Sequence, residues 1–358
     1  MSRNINDALL DVLTTIDRDG SAVPSRGGEQ KEVLGALVTI DRPSERVLTV
    51  PQRNNNVFAQ IAETLWVLVG RNDLEFLGRY LPRAADFSDD GSTWRAAYGP
   101  RLRAWGLQRV DQLAAIRARL SEDPLTKRAV ATIFDPAADH VDSLDVPCNN
   151  WLHFLQRDGE LHLSVAVRAN DAIWGFSGIN VFEWSVLQEI MARTFGWTVG
   201  RMSWYVGTLH VYERHYATAQ KLVRHHGMHS VYEYGLSPLP IECGLDTLDA
   251  VLETVLEAEA AARSGATVHA RRLADLITDP FFNAAATMLR AYHAFKDPES
   301  PEEALRIAAE LPPCDLRLAA LEYLGRRAKT RNLPLLPAER EYLEYYWSLS
   351  DRLATTAA

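Results

Sequence analysis

The chain has 358 residues, 47% hydrophobic and 24% charged, which supplies one large core or two smaller ones and excludes wholesale disorder. A net charge of −9 argues against a general nucleic-acid surface, because phosphate backbones need a basic footprint. No apolar run is long enough to span a membrane, and the N-terminus lacks the apolar centre of a signal peptide.

Apolar residues at helical spacing predict a first helix over 5–15. The turn-rich stretch DGSAVPSRGGEQ after it ends in a loop around Arg26-Gly27-Gly28. Short strands are expected over 33–41 and 46–51, and helices over 58–69, 74–81 and 110–120. A strand follows at 129–134. The runs 153–156 and 160–168 predict a hairpin, because Asp158-Gly159 suits a two-residue turn. A long helix over 181–195, a strand over 199–210 and a helix over 214–224 complete this mixed part. Beyond it, periodicity predicts helices over 245–262, 269–276, 280–295, 304–311, 316–328 and 338–354. Ser300 reads as an N-cap before an acidic first turn. We expect a boundary near Ser237-Pro238: an α+β unit over 1–237 and an all-helical unit over 238–358.

The three cysteines, Cys148, Cys243 and Cys314, are far apart and form no CxxC pair. They predict neither a zinc site nor a disulfide framework, and suit a reducing cytoplasm. A lone cysteine such as Cys148 is most simply a small buried hydrophobe. His210 and His215 lack further ligands at metal spacing, so no metal is expected. Taken singly, Arg26, Lys127, Arg128 and Arg168 are solvated charges.

Their order along the chain is more specific. Ala62-Glu63-Thr64-Leu65-Trp66, Tyr98-Gly99, Lys127-Arg128 and Asp145-Val146-Pro147-Cys148 are followed by Arg168-Ala169-Asn170-Asp171, Trp174-Gly175-Phe176, Ile179-Asn180 and Gly207-Thr208-Leu209-His210-Val211-Tyr212. Together with Arg26-Gly27-Gly28, this series resembles the core of thymidylate synthases and their pyrimidine hydroxymethylase relatives, over about residues 5–220. The resemblance implies an α+β fold, a mixed sheet packed with helices and dimeric through the sheet, here with an all-helical C-terminal extension.

It also implies roles. Cys148 would add as a thiolate to C6 of a pyrimidine nucleotide, making C5 a nucleophile toward the one-carbon unit of 5,10-methylenetetrahydrofolate. Arg128 and Arg168 would lower the thiol pKa. Glu63 would act as general acid and base, and Tyr98 would assist proton removal from C5. Asn149 stands beside the nucleophile, where the family has histidine. Arg26, Arg168, Lys127 and Arg128 would hold the phosphate, the last two reaching the partner's site in an obligate homodimer. Ala169 lies in the same phosphate segment. His210 and Tyr212 would bind the sugar, Asn180 would read the base, and Asp171, Trp94 and Gly175 would lie at the folate. The expected partners are thus a pyrimidine nucleotide and a folate, with no membrane and no nucleic acid.

Several positions depart from the synthase pattern. Ala169 replaces a serine, Lys127 an arginine and Thr208 an aspartate, and Ser177-Gly178 adds a residue before Asn180. The helical extension stands where a synthase has a short closing tail. These changes fit water entry and a 5-hydroxymethyl product, and they resemble the CMP hydroxymethylases of nucleoside-antibiotic (mildiomycin-type) pathways. CMP is therefore the expected substrate. Methylation or hydroxymethylation of dUMP or UMP, hydroxymethylation of dCMP, and a non-catalytic nucleotide-binding protein are the alternatives; Asn180 pulls toward uracil, although a flipped amide can read cytosine. The extension is most simply structural; a lid over the folate is the sharper reading.

Overall fold

A computed structural model describes residues 1–224, 228–297 and 301–355. Six strands, β1 (Ser21–Ser25), β2 (Gly28–Ile40), β3 (Val130–Thr132), β4 (Asn149–Arg157), β5 (Glu160–Asp171) and β6 (Thr198–Tyr212), form one mixed sheet in the order β1-β2-β6-β5-β4-β3. Only β5 and β6 run parallel. The β4–β5 turn has Asp158 at φ 53° and Gly159 at φ 80°, as the sequence predicts. Period-two alternation gives the sheet two unlike faces. Leu161, Leu163, Val165 and Val167 of β5 and Met202, Trp204 and Val206 of β6 are buried. The opposite face carries a cross-strand row, Leu37, Tyr205, Ala166, Trp151 and Thr132, in which Leu37 is 64% and Tyr205 48% exposed.

Helices cover the buried face. In the α+β part these are α1 (Ile5–Asp19), α2 (Val57–Leu68), α3 (Leu74–Leu77), α4 (Tyr98–Arg103), α5 (Gln112–Glu122), α6 (Pro136–Asp139), α7 (Val181–Thr194) and α8 (Tyr216–Val223). A π-helical segment, Ala172–Asn180, leads into α7. The rest of the chain forms α9 (Leu248–Arg263), α10 (Thr267–Leu276), α11 (Pro280–Lys296), α12 (Pro301–Ala308), α13 (Asp315–Ala328) and α14 (Pro337–Thr355). The expected cap Ser300 lies outside the described residues. Every residue of α2 is buried, because α7 packs on one side of it and α11 and α13 on the other. One hydrophobic cluster runs from Ile5 to Tyr346.

Three expectations are corrected. The turn-rich stretch before residue 31 is the β1–β2 hairpin, whose turn holds Arg26 and Gly27, with Pro24 tolerated because β1 is an edge strand. Residues 46–51 belong to no sheet, and Pro51 stands in a turn. Side chains pair their backbone instead: Asn6 Oδ1 accepts from Thr49 N at 2.7 Å, Asn6 Nδ2 donates to Val47 O at 3.1 Å, and the hydroxyls of Tyr232 and Tyr342 bond Val47 N and Thr49 O. The helix expected over 74–81 is confined to Leu74–Leu77. Among the described residues no helix is long and apolar enough to cross a membrane.

Candidate functional site

Cys148 stands immediately before β4, and Arg168 of β5 grips the turn that presents it. Arg168 N donates to Cys148 O at 2.9 Å, its Nε to Pro147 O at 2.8 Å and its Nη2 to Val146 O at 2.9 Å. The same Nη2 lies 3.8 Å from Cys148 Sγ. Glycine is required at 207 on the adjacent strand, where a Cβ would stand 2.6 Å from Arg168 O. Arg26 binds the other end of this loop, donating to Ser143 O at 3.1 Å and Leu144 O at 2.9 Å. Burial raises the Cys148 thiol above its usual pKa, against the pull of Arg168 and Arg26, and Asp145 adds to the rise.

That balance corrects the expected lowering of the thiol pKa. Arg168 acts in the expected direction, but burial outweighs it, and Arg128 takes no part. Lys127 and Arg128 are exposed and away from the cluster. Phe154 N donates to Ala129 O at 2.9 Å, so Arg128 lies far along β4 from Cys148. At about 3.3 Å per residue the separation is roughly 20 Å, beyond the reach of an arginine side chain.

Behind the thiol, α2, α4 and α7 close a polar pocket. Asn149 is fully buried; its Nδ2 donates to the Tyr98 hydroxyl at 2.7 Å and its Oδ1 accepts from Trp184 Nε1 at 3.1 Å. The Tyr98 and Trp184 rings lie 5.5 Å apart. Burial holds the Tyr98 hydroxyl well above its usual pKa, with Cys148, Glu183 and Glu63 adding to the effect. Glu63 of α2 is 8% exposed and Glu183 of α7 2%. Burial pushes both carboxyls well above the usual carboxylate range, and Glu63 raises Glu183 further. One oxygen of each, Oε2, has no hydrogen-bond partner among the described residues. Glu183 Oε1 accepts from Asn180 Nδ2 at 2.8 Å, and Asn180 Oδ1 accepts from Asn170 Nδ2 at 3.4 Å.

The π-helical segment accommodates the extra residue noticed in the sequence. Val181 N bonds Phe176 O, and Ser177 Oγ donates to Ala172 O at 2.8 Å, each spanning a wide five-residue step. Asn180 is thereby kept in the pocket. Gly175 in this segment backs the amide pair: a Cβ there would stand 2.3 Å from Asn170 Oδ1. Asp171 Oδ1 accepts from Ile173 N at 2.9 Å, capping the segment. It also lies opposite His210 in the β5–β6 register, as Ala169 lies opposite Thr208.

His210 is buried, which lowers its pKa, and its ring meets Tyr212 edge-on at 4.9 Å. Tyr212 in turn covers Gly27, where a Cβ would stand 3.0 Å from the ring. Trp94 donates to Ala84 O at 2.8 Å and packs edge-on against Trp66 at 5.7 Å. The structure thus gathers Cys148, Arg168 and Arg26 in one group, and links Asn149, Tyr98, Glu63, Glu183 and Asn180 behind it. His210 and Tyr212 stand on β6, beside the end of β5. Lys127 and Arg128 are left apart. Sequence reasoning missed Glu183, Asn170 and Trp184. The available signal was the acid three residues after Asn180, a spacing that shares a helix face.

The thymidylate synthase family model matches residues 7–232. The chain is 31% identical over 341 residues to the deoxyuridylate hydroxymethyltransferase of Pseudomonas phage M6, covering 91% of this chain and 93% of that one. It is 38% identical over 213 residues to the deoxyuridylate hydroxymethyltransferase of Bacillus phage SP01, covering 57% of this chain but only 56% of that protein. Thymidylate synthase 1 of Bacillus subtilis strain 168 is 27% identical over 224 residues, covering 60% of this chain and 76% of the synthase.

Proposed function

The chain belongs to the thymidylate synthase family, and we propose that it is a folate-dependent C5-hydroxymethyltransferase acting on dUMP. The family transfers a one-carbon unit from 5,10-methylenetetrahydrofolate to C5 of a pyrimidine nucleotide. The observation that carries the finer reading is the extent of one match. Similarity to the Pseudomonas phage M6 protein runs over 91% of this chain, helical region included, whereas the Bacillus subtilis synthase match covers 60%. Asn180 supports uracil, since an amide can donate to O4 and accept from N3–H. CMP is the second reading, favoured by Ala169 and by Lys127, which cannot form a bidentate fork.

In this reading Cys148 Sγ adds to C6 and C5 becomes nucleophilic. Bound methylenetetrahydrofolate supplies the one-carbon unit. Trp174, 48% exposed and between Asp171 and Gly175 in the chain, offers an aromatic face for its flat pterin. Tyr98, held by Asn149, assists removal of the C5 proton, and Glu63 manages protons on the base and on water. C5 would bond the one-carbon unit, and loss of the C5 proton would break that carbon's bond to the folate nitrogen, releasing tetrahydrofolate; water adds at the exocyclic methylene so formed, and Cys148 leaves C6 as its bond breaks. Arg26 and Arg168 hold the phosphate with Lys127 and Arg128 from across a homodimer. His210 and Tyr212 bind the sugar hydroxyl.

Residues 1–237 form the catalytic unit in this proposal, and 238–358 a structural one. By covering α2, the latter holds Glu63 in its buried position. The test is mass analysis of reactions containing methylenetetrahydrofolate and dUMP, CMP, dCMP or UMP. A gain of CH2O on dUMP is expected. A gain of CH2 would overturn water addition, and CH2O on CMP instead of dUMP would establish the second reading. Binding without product would make the chain a nucleotide-binding member of the family.

A further inference from the structure

We propose that Glu183 is the residue that fixes which pyrimidine this site accepts, by locking the orientation of the Asn180 amide. The proposal rests on the reading of Asn180 as the base-contacting residue. A primary amide is nearly symmetric in shape but not in chemistry. One end donates and the other accepts, and a half-turn about its last bond exchanges them. Uracil offers an acceptor at O4 and a donor at N3, whereas cytosine offers a donor at N4 and an acceptor at N3. An amide free to turn would accommodate either base. Discrimination therefore needs a neighbour that tells the two ends apart.

The pocket supplies one at each end. Glu183 Oε1 accepts from Asn180 Nδ2 at 2.8 Å, and Asn170 Nδ2 faces Asn180 Oδ1 at 3.4 Å. The shorter contact belongs to Glu183, which is only 2% exposed. Among the described residues its Oε2 has no hydrogen-bond partner. A proton carried on Oε2 leaves Oε1 an acceptor, so the lock holds in both ionisation states. The group is set in place by α7, and the amide it reads by the π-helical turn one step earlier. Gly175 keeps the Asn170 side of the lock in register, since any larger residue would collide with Asn170 Oδ1. Glu183 does not need to touch the reacting atoms; it is a positioning residue.

The experiment compares Glu183→Met, which keeps bulk but removes the acceptor, with Glu183→Gln, which keeps an acceptor. For each, kcat and KM are measured on dUMP and dCMP with methylenetetrahydrofolate, and equilibrium binding of both nucleotides is measured without folate. Glu183→Met should narrow the ratio of the two kcat/KM values by about tenfold or more, with dUMP losing through KM, while Glu183→Gln, whose own amide can turn and donate as well as accept, should narrow it by less. Asn170→Ala, which removes the longer contact, should shift binding in the same direction by less, and serves where Glu183→Met does not fold. Parallel loss on both bases with an unchanged ratio would overturn the proposal and leave Glu183 a structural residue. Preference of the unaltered protein for cytosine would instead refute the dUMP reading. The lock would still be supported if that preference collapsed in Glu183→Met.

Discussion

The buried amide of Asn149 is bonded at both ends, donating to the Tyr98 hydroxyl at 2.7 Å and accepting from Trp184 Nε1 at 3.1 Å. The bond to Tyr98 occupies an acceptor position on the phenol and leaves its own proton for another partner. Replacing Asn149 by alanine would strand two buried polar groups, so a loss of about 2–4 kcal/mol in urea unfolding is expected. Asn149→Asp keeps the size but, when ionised, cannot donate to Tyr98. It should slow release of tritium from C5 more than it weakens nucleotide binding.

Arg168 opposes the burial that raises the Cys148 thiol. Removing its charge in Arg168→Ala should move the thiol pKa further up. In an alkylation experiment, the pH at which Cys148 reaches half its maximal rate with iodoacetamide should then rise. The same variant loses the bonds to Pro147 O and Val146 O, so nucleotide affinity should fall as well. An unchanged alkylation profile would mean that Arg168 only shapes the loop.

Much of the fold was legible in the sequence because it rests on short-range rules. The β4–β5 hairpin follows from Asp158-Gly159 between alternating runs, whereas Cys148 and Arg168 read singly are a small hydrophobe and a solvated charge and stand out only through the family resemblance. Failures occurred where a partner decides the outcome. Val47, Leu48, Thr49 and Val50 have strand composition, yet no strand among the described residues pairs with them, and Asn6, Tyr232 and Tyr342 bond the backbone of Val47 and Thr49 instead. Glu183 lies between Phe182 and Trp184, and its three-residue spacing from Asn180 is a weak signal; its role depends on the π-helical turn that brings Asn180 to it.

Gly175 tests the packing of the amide network directly. A Cβ at this position would stand 2.3 Å from Asn170 Oδ1, closer than any real contact, so Gly175→Ala must displace the Asn170 amide. Weaker nucleotide binding is expected, together with a stability loss of about 1–3 kcal/mol from overpacking. Isothermal titration with dUMP and thermal unfolding check the two effects separately.

Stability should carry a pH signature from Asp315. Burial raises this carboxyl from 3.8 to about 7, although the Tyr232 hydroxyl donates to it at 3.0 Å. A raised folded-state pKa means that the folded protein holds the proton more tightly than the unfolded chain. Its contribution is therefore complete at low pH and is lost as pH rises toward 7. At about 1.4 kcal/mol per pH unit, the loss across this window is on the order of 4 kcal/mol at most. Asp315→Asn removes the titration. The variant should gain stability relative to the unaltered chain between pH 4 and 7 in urea melts, and equal pH dependence of the two would exclude the effect.

The position of Arg128 predicts a shared site. It stands roughly 20 Å along β4 from the thiol of its own chain, at about 3.3 Å per residue, so it can meet a nucleotide on Cys148 only by crossing to a second subunit. The surface proposed for that crossing is the sheet face that carries Leu37, Tyr205 and Trp151 in one row. Cys148→Ala and Arg128→Ala homodimers should each be nearly inactive. Unfolded together and refolded, they should regain activity, because one site of the hybrid combines an intact Cys148 with an intact Arg128 from the other chain. Random assortment makes half of the dimers hybrids with one working site of two, or about a quarter of the unaltered activity. Were Arg128 to serve its own subunit, no hybrid would contain a complete site and mixing would restore nothing. Leu37→Asp, placed on the open face, should abolish the recovery by keeping the subunits apart, and sedimentation would report the monomer.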